Sequence, residues 1–123
     1  MGLISDVADN ARATALTSLS AAIHELQRRK GFYDGLDPND NNVIGLKIAL
    51  IHSEASEALE AYRRDPRAEC DKKNGMTCEE EELSDIIIRT LDLAAFRGVD
   101  IGAAVLRKIE YDRSRPHKHG KQF

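Results

Sequence analysis

Apolar residues recur at helical spacing through four successive segments of this chain, and most of these segments end at a residue that stops a helix. The first runs from about Leu3 to Lys30. Leu16, Leu19, Ile23 and Leu26 form its stripe, and Ala11 and Ala22 broaden it. Arg28, Arg29 and Lys30 crowd the last turn, where cations complement the helix dipole, and Gly31 follows. The Gly, Pro, Asp and Asn of Gly31–Asp40 predict a loop. A second helix is expected from about Asn42 to Arg64, with Ile44, Ile48, Ile51, Ala55, Ala58 and Tyr62 on its apolar side. It stops at Asp65-Pro66, because the residue before a proline resists helical geometry. Residues 65–76 are polar and predict a loop or small helical turn, with too few apolar residues for a packed element. Thr77 and Glu80 match a capping box that opens a third helix, from about Cys78 to Arg97. Its face carries Leu83, Ile86, Ile87, Thr90, Leu93 and Ala94, and Gly98 closes it. Asp100 can cap a fourth, shorter helix through Val105, Leu106, Ile109 and Tyr111. From about residue 113 to 123 the chain is basic and polar, contains Pro116, and reads as an irregular tail.

Ile86-Ile87-Ile88 is strand-like only locally; helix formers and caps flank it. Four helices with short connections predict an all-α, four-helix-bundle-like protomer, one domain over residues 1–123. Helices two and three carry apolar residues around more than one narrow face, so a dimer or larger oligomer is expected to complete the core. With 41% apolar and 32% charged residues the composition is that of a globular chain, not a disordered one. No window is long and apolar enough to span a membrane, and the N-terminus lacks a secretory pattern, which makes a cytoplasmic location the expectation. The net charge of −3 argues against a broad nucleic-acid surface. Charge is uneven, however: residues 79–85 are acidic and 107–121 basic. Such blocks suit a metal site and an anion site, or two solvated surfaces. Cys70 and Cys78 lack partners at zinc spacing and read as tolerated thiols near a loop.

The informative constellation is Glu54-x-x-Glu57 on the second helix with Glu82-x-x-Asp85 on the third. Side chains three apart project from one side of a helix, and Glu54 and Glu82 lie beside apolar stripes, so both pairs can enter the seam between helices. Four carboxylates from two facing helices suit Mg²⁺ or Mn²⁺. Glu-rich helices also carry ExxE spacing by chance, and Glu79, Glu80 and Glu81 fit dipole and solubility roles. Candidate phosphate contacts are Lys47, Arg89, Lys108, Arg115 and Lys121, each of which also suits a surface role. No nucleophile–base arrangement and no phosphate-binding glycine loop is legible. His24 suits a core or pocket edge.

At these residues the chain resembles the MazG-like all-α nucleoside triphosphate pyrophosphohydrolases, which carry ExxE, a variable spacer, then ExxD. Glu54-Ala-Ser-Glu57 and Glu82-Leu-Ser-Asp85 match in order. Lys47-x6-Glu54, His24-Glu-Leu-x4-Gly31-Phe32 and the closing Arg115-Pro-His-Lys-His-Gly-Lys-Gln-Phe123 extend the likeness from about His24 onward. The resemblance implies that Glu54, Glu57, Glu82 and Asp85 ligate Mg²⁺, with Mn²⁺ a substitute. It implies cleavage of an NTP or dNTP between the α and β phosphates, releasing pyrophosphate, in a homodimer or homotetramer whose pocket draws on more than one chain, and for such a substrate His24, Phe32 and Tyr33 are the candidates for contacting the base. Two positions depart from the pattern: Ser53 stands where many relatives carry a further Glu, and Asp112 where they often carry Asn. The rival readings are a non-catalytic helical oligomer whose acidic patch binds partners, and a pyrophosphatase acting on another nucleotide derivative.

Overall fold

Side-chain caps set where the helices begin. The computed structural model describes residues 6–70 and 74–123. Within them lie α1 (Asp6–Arg29), α2 (Asn41–Arg64), α3 (Cys78–Phe96) and α4 (Ile101–Arg113). Asp40 opens α2 by accepting from the Asn42 N–H at 2.8 Å. At α3 the Thr77 hydroxyl accepts from the Glu80 N–H at 3.1 Å, and the Glu80 carboxylate reaches back to the Thr77 N–H, forming the expected capping box. Asp100 accepts from the Ala103 N–H at 3.1 Å to open α4. Each bond satisfies a backbone donor that the first helical turn leaves without an intrahelical partner.

The stops follow equally local chemistry. Asp65, before Pro66, is extended (φ −158°). Gly31 and Gly98 take φ of 87° and 69°, a left-handed conformation that lets the chain leave α1 and α3 without a Cβ clash. The expected start of the first helix at Leu3 lies outside the described residues. The fourth helix reaches Arg113, beyond the last apolar residue of its stripe. After it the tail makes one 3-10 turn, His117–Gly120, with Lys118 and His119 at φ 52° and 53°. No strand forms among the described residues. A single antiparallel bridge joins Glu69 to Thr77, and flanking bonds run from Cys70 N to Met76 O and from Cys78 N to Ala68 O. This fold-back buries Cys70 in a stretch whose composition predicts nothing packed, and both cysteines are free thiols.

α3 is the central helix. α1 and α2 pack on its flanks, while α4 lies along α1 and touches α3 only lightly. Ser20 on α1 donates to the Leu91 carbonyl of α3 at 2.5 Å. The α1–α4 contact is closer still: a Cβ on Gly102 would stand 2.0 Å from the Ala13 carbonyl oxygen. Thr17 sits in this crossing, accepting from the Gly102 N–H at 3.0 Å and donating to Asp100 at 2.8 Å. The apolar core is small, with Tyr33, Ala58, Cys70, Leu91 and Ala94 buried. Leu46, Leu59 and Tyr62 of α2 and Leu83 and Ile87 of α3 stay exposed by 45–59%. No described helix is long and apolar enough to cross a membrane.

Candidate metal centre

The α2–α3 seam brings carboxylates together as their spacing predicts. Glu54, Glu82 and Asp85 each place one oxygen within 4.8 Å of the others. Glu54 is 6% exposed, and Arg89 donates from Nε to its Oε1 at 2.5 Å. The second oxygen of Glu54 and Oε2 of Glu82 are buried and accept no hydrogen bond from an N–H or a hydroxyl among the described residues. Leaving such an acceptor unsatisfied costs roughly 1–3 kcal/mol, more for a charged group. A divalent cation removes that cost, because it supplies the positive charge and coordinates hard oxygen donors. Three carboxylates from two rigid helices, two with uncompensated oxygens, therefore fit Mg²⁺ or Mn²⁺.

Glu57 is more exposed than these three and stands beside both Glu54 and Glu82. A shared hydrogen bond with Glu54, loss of water and the neighbouring negative charges push its carboxyl above the ordinary value. Burial, then the charges of Asp85, Glu54 and Glu81, push Glu82 up, although its hydrogen bond with Glu57 pulls the other way. Glu81 belongs to this electrostatic group as well. It is 5% exposed, and burial and the charges of Asp85, Glu54 and Glu57 raise its carboxyl. A first-turn glutamate in an acidic run reads as a dipole residue, yet Glu81 lies one turn before Asp85 and shares its inward side.

The carboxylates stand between two cavities. One, of about 380 Å³, is lined by Glu54 and Asp85 together with Lys47, Arg89, Leu50, Ile88, Gln27, Phe32 and Asp92. The other, of about 310 Å³, meets Glu57 and Glu82. Lys47 and Arg89 thus face the first cavity, and Lys108, Arg115 and Lys121 do not line it. Lys108 lies on α4, which packs along α1, and Arg115 and Lys121 follow in the tail. Lys108 pairs with Asp112, and Arg115 lies 3.6 Å from the same carboxylate. These cations, Lys108 first, hold Asp112 below the usual carboxylate range, so its charge is met locally.

Behind the cavity wall lies a network that periodicity alone does not reveal. Asp92, 8% exposed, accepts from the Tyr33 hydroxyl at 2.5 Å through Oδ2, and its Oδ1 is 2.9 Å from His24 Nδ1. The His24 and Tyr33 rings meet edge to face at 4.6 Å, Phe96 packs on both, and the Lys47 ammonium stands 4.2 Å over the Tyr33 ring. Burial and the bond to Asp92 raise the Tyr33 hydroxyl well above its ordinary value, keeping it a donor. Of the three candidates for contacting a base, only Phe32 lines the cavity; His24 and Tyr33 hold Asp92 there instead. Asp92 follows Asp85 by seven residues, two helical turns along one side of α3, and that spacing is the one sequence signal for it.

The molecule is thus an all-α four-helix bundle with a partly buried Glu/Asp triad able to coordinate a divalent cation. Comparison with family models, with curated proteins and with solved structures returned no match. The MazG-like resemblance rests on motif order, and the helical architecture and acidic cluster are consistent with it.

Proposed function

We propose that this chain is a Mg²⁺-dependent nucleoside triphosphate pyrophosphohydrolase of the MazG-like kind, acting on an NTP or dNTP. The observation that carries the reading is the convergence of Glu54, Glu82 and Asp85 oxygens at the edge of a cavity that also presents Lys47 and Arg89. Glu54, Glu82 and Asp85 hold the cation, with Glu57 as a fourth acid beside them. When bound, Mg²⁺ supplies charge neutralisation at the phosphoryl oxygens and lowers the cost of ionising water.

The chain's own residues do the rest. Glu57, beside the residues that hold the cation, accepts a proton from the attacking water. Water oxygen bonds to the α-phosphorus, the α–β bridging bond breaks, and pyrophosphate leaves with the bond's electron pair. Lys47 and Arg89 balance the negative charge of the phosphate chain. Arg89 exchanges its bond to Glu54 for one to phosphate.

The same reading includes assembly as a homodimer or homotetramer. The exposed apolar residues of α2 and α3 support it, and so does the need to bring Lys108, Arg115 and Lys121 to a substrate from a neighbouring copy. A cytoplasmic site of action, without nucleic-acid or membrane partners, accords with free thiols and a nucleotide substrate. The test is a panel of NTPs and dNTPs with Mg²⁺, scoring nucleoside monophosphate and pyrophosphate separately from orthophosphate. Equimolar monophosphate and pyrophosphate are expected. Orthophosphate as the first product, or no turnover of any triphosphate, overturns the reading.

A further inference from the structure

Asp92 lines the cavity and lies outside the proposed chemistry. Asp92 is buried, sits two helical turns from Asp85 on the same side of α3, and lines the same 380 Å³ cavity. Two turns rise about 11 Å along the axis, the scale of one sugar and base beyond a nucleotide's α-phosphate. A carboxylate has about four acceptor positions. Tyr33 and His24 occupy one on each oxygen of Asp92 and fix its orientation. Because Asp92 lines the cavity, its carboxylate can accept from a donor placed there. Tyr33 is a fixed donor to Asp92, so the carboxylate is held as an acceptor and has no freedom to turn its polarity round. Gln27 shares the lining with Asp92, and its amide offers either polarity. Leu50, Ile88 and the exposed ring of Phe32 supply apolar surface in the same lining, suited to a flat ring.

We propose that Asp92 and Gln27 form a base-reading subsite selective for a nucleobase with an exocyclic amine beside an unprotonated ring nitrogen, the pattern shared by cytosine and adenine. Asp92 accepts from the amine and Gln27 donates to the ring nitrogen. Uracil, thymine and hypoxanthine present a carbonyl oxygen where the amine would be, and that oxygen meets the fixed carboxylate with like polarity. A buried polar group left without its partner is what gives strong discrimination between ligands of one shape. His24 and Tyr33 act as positioning residues for Asp92. This inference rests on the proposed nucleotide chemistry and adds the class of base.

The test uses pairs that differ at these atoms alone: dCTP against dUTP, and dATP against dITP. With Mg²⁺ and the full-length protein, kcat/KM is expected to favour the amine-bearing member of each pair by at least ~10-fold. Asp92→Asn is expected to shrink those ratios toward unity, because an amide can turn a donor toward a carbonyl oxygen. If Asp92 only ties α1 to α3, the substitution lowers all four substrates alike and leaves the ratios unchanged, and the proposal falls. Gln27→Leu, which leaves the His24–Asp92–Tyr33 contacts in place, is expected to reduce the ratios as well and serves if the Asp92 variant does not fold. Calorimetry with dCMP and dUMP in chelator provides a readout independent of turnover. Tighter dCMP binding by at least ~10-fold supports the subsite even if no triphosphate is cleaved, in which case the hydrolase reading alone fails. Equal kcat/KM within both pairs, or monophosphates that bind equally or not at all, overturns the subsite while leaving any observed hydrolysis standing.

Discussion

Glu57 and Glu60 are one turn apart on α2, and the structure gives them opposite settings. Glu57 adjoins the Glu54–Glu82 pair. Glu60 is exposed and pairs with Arg64 at 3.0 Å across one helical turn. Such an exposed pair contributes under about 0.5 kcal/mol. Glu60→Gln is therefore expected to leave turnover and melting temperature near the parent. Glu57→Gln is expected to fold at least as well, because it removes one negative charge from a crowded cluster, yet to lose at least ~100-fold in pyrophosphate release. Steady-state kinetics beside thermal melts decides; near-parental turnover in both variants returns the ExxE pair to surface chemistry. The cluster also sets a pH signature. Glu57, Glu81 and Glu82 all have carboxyls raised above the ordinary 4.5 in the folded protein. Their contribution to stability is full below that value and is lost as pH rises through the raised values. Carboxyls lowered in the fold, such as Asp100 and Asp112, act oppositely, and their contribution is lost only as pH falls below about their ordinary 3.8. In chelator, melting temperature should thus fall as pH is raised from 4.5, and Mg²⁺ should flatten the slope. A chelated protein whose melting temperature rises over that interval contradicts the assignment.

At the level of elements, the helices were legible because their ends are chemical: Asp40, Thr77–Glu80 and Asp100 open them, and Gly31, Pro66 and Gly98 close them. The meeting of Glu54 with Glu82 and Asp85 was legible too, since helical spacing puts each pair on one side beside an apolar stripe. What sequence periodicity could not supply is which helix lies against which. The Asp92 network joins residues 59 and 68 positions apart, and no local pattern encodes it. Nor does the pattern show that α4 lies along α1, with Lys108 and Arg115 outside the cavity lining. Gly102 is the hinge of that placement. An added methyl group meets the Ala13 backbone, which cannot yield as a side chain would. Gly102→Ala is expected to destabilise the protein by about 1–3 kcal/mol through overpacking, despite the better helix propensity of alanine. Chemical denaturation checks it, and an unchanged or increased stability would show that α4 packs elsewhere.

For the whole molecule, the buried core is small for four helices and the outer faces of α2 and α3 retain Leu46, Leu59, Tyr62, Leu83 and Ile87 in solvent. Exposure of this many large apolar side chains is what assembly removes. Sedimentation at micromolar concentration is expected to give a dimer or larger particle, and a fully active monomer would rule out the proposed sharing of tail cations between copies. Beneath assembly and base choice lies one claim, that the Glu54, Glu82 and Asp85 oxygens hold a divalent cation that turnover requires. Mn²⁺ binding, followed by electron paramagnetic resonance on the same samples assayed for pyrophosphate release, tests it most directly. The parent should bind Mn²⁺ saturably and release pyrophosphate in proportion to occupancy, while folded Asp85→Asn loses both together. Pyrophosphate release at the parental rate from a protein with no bound metal, or from Asp85→Asn with its Mn²⁺ affinity intact, would contradict the claim.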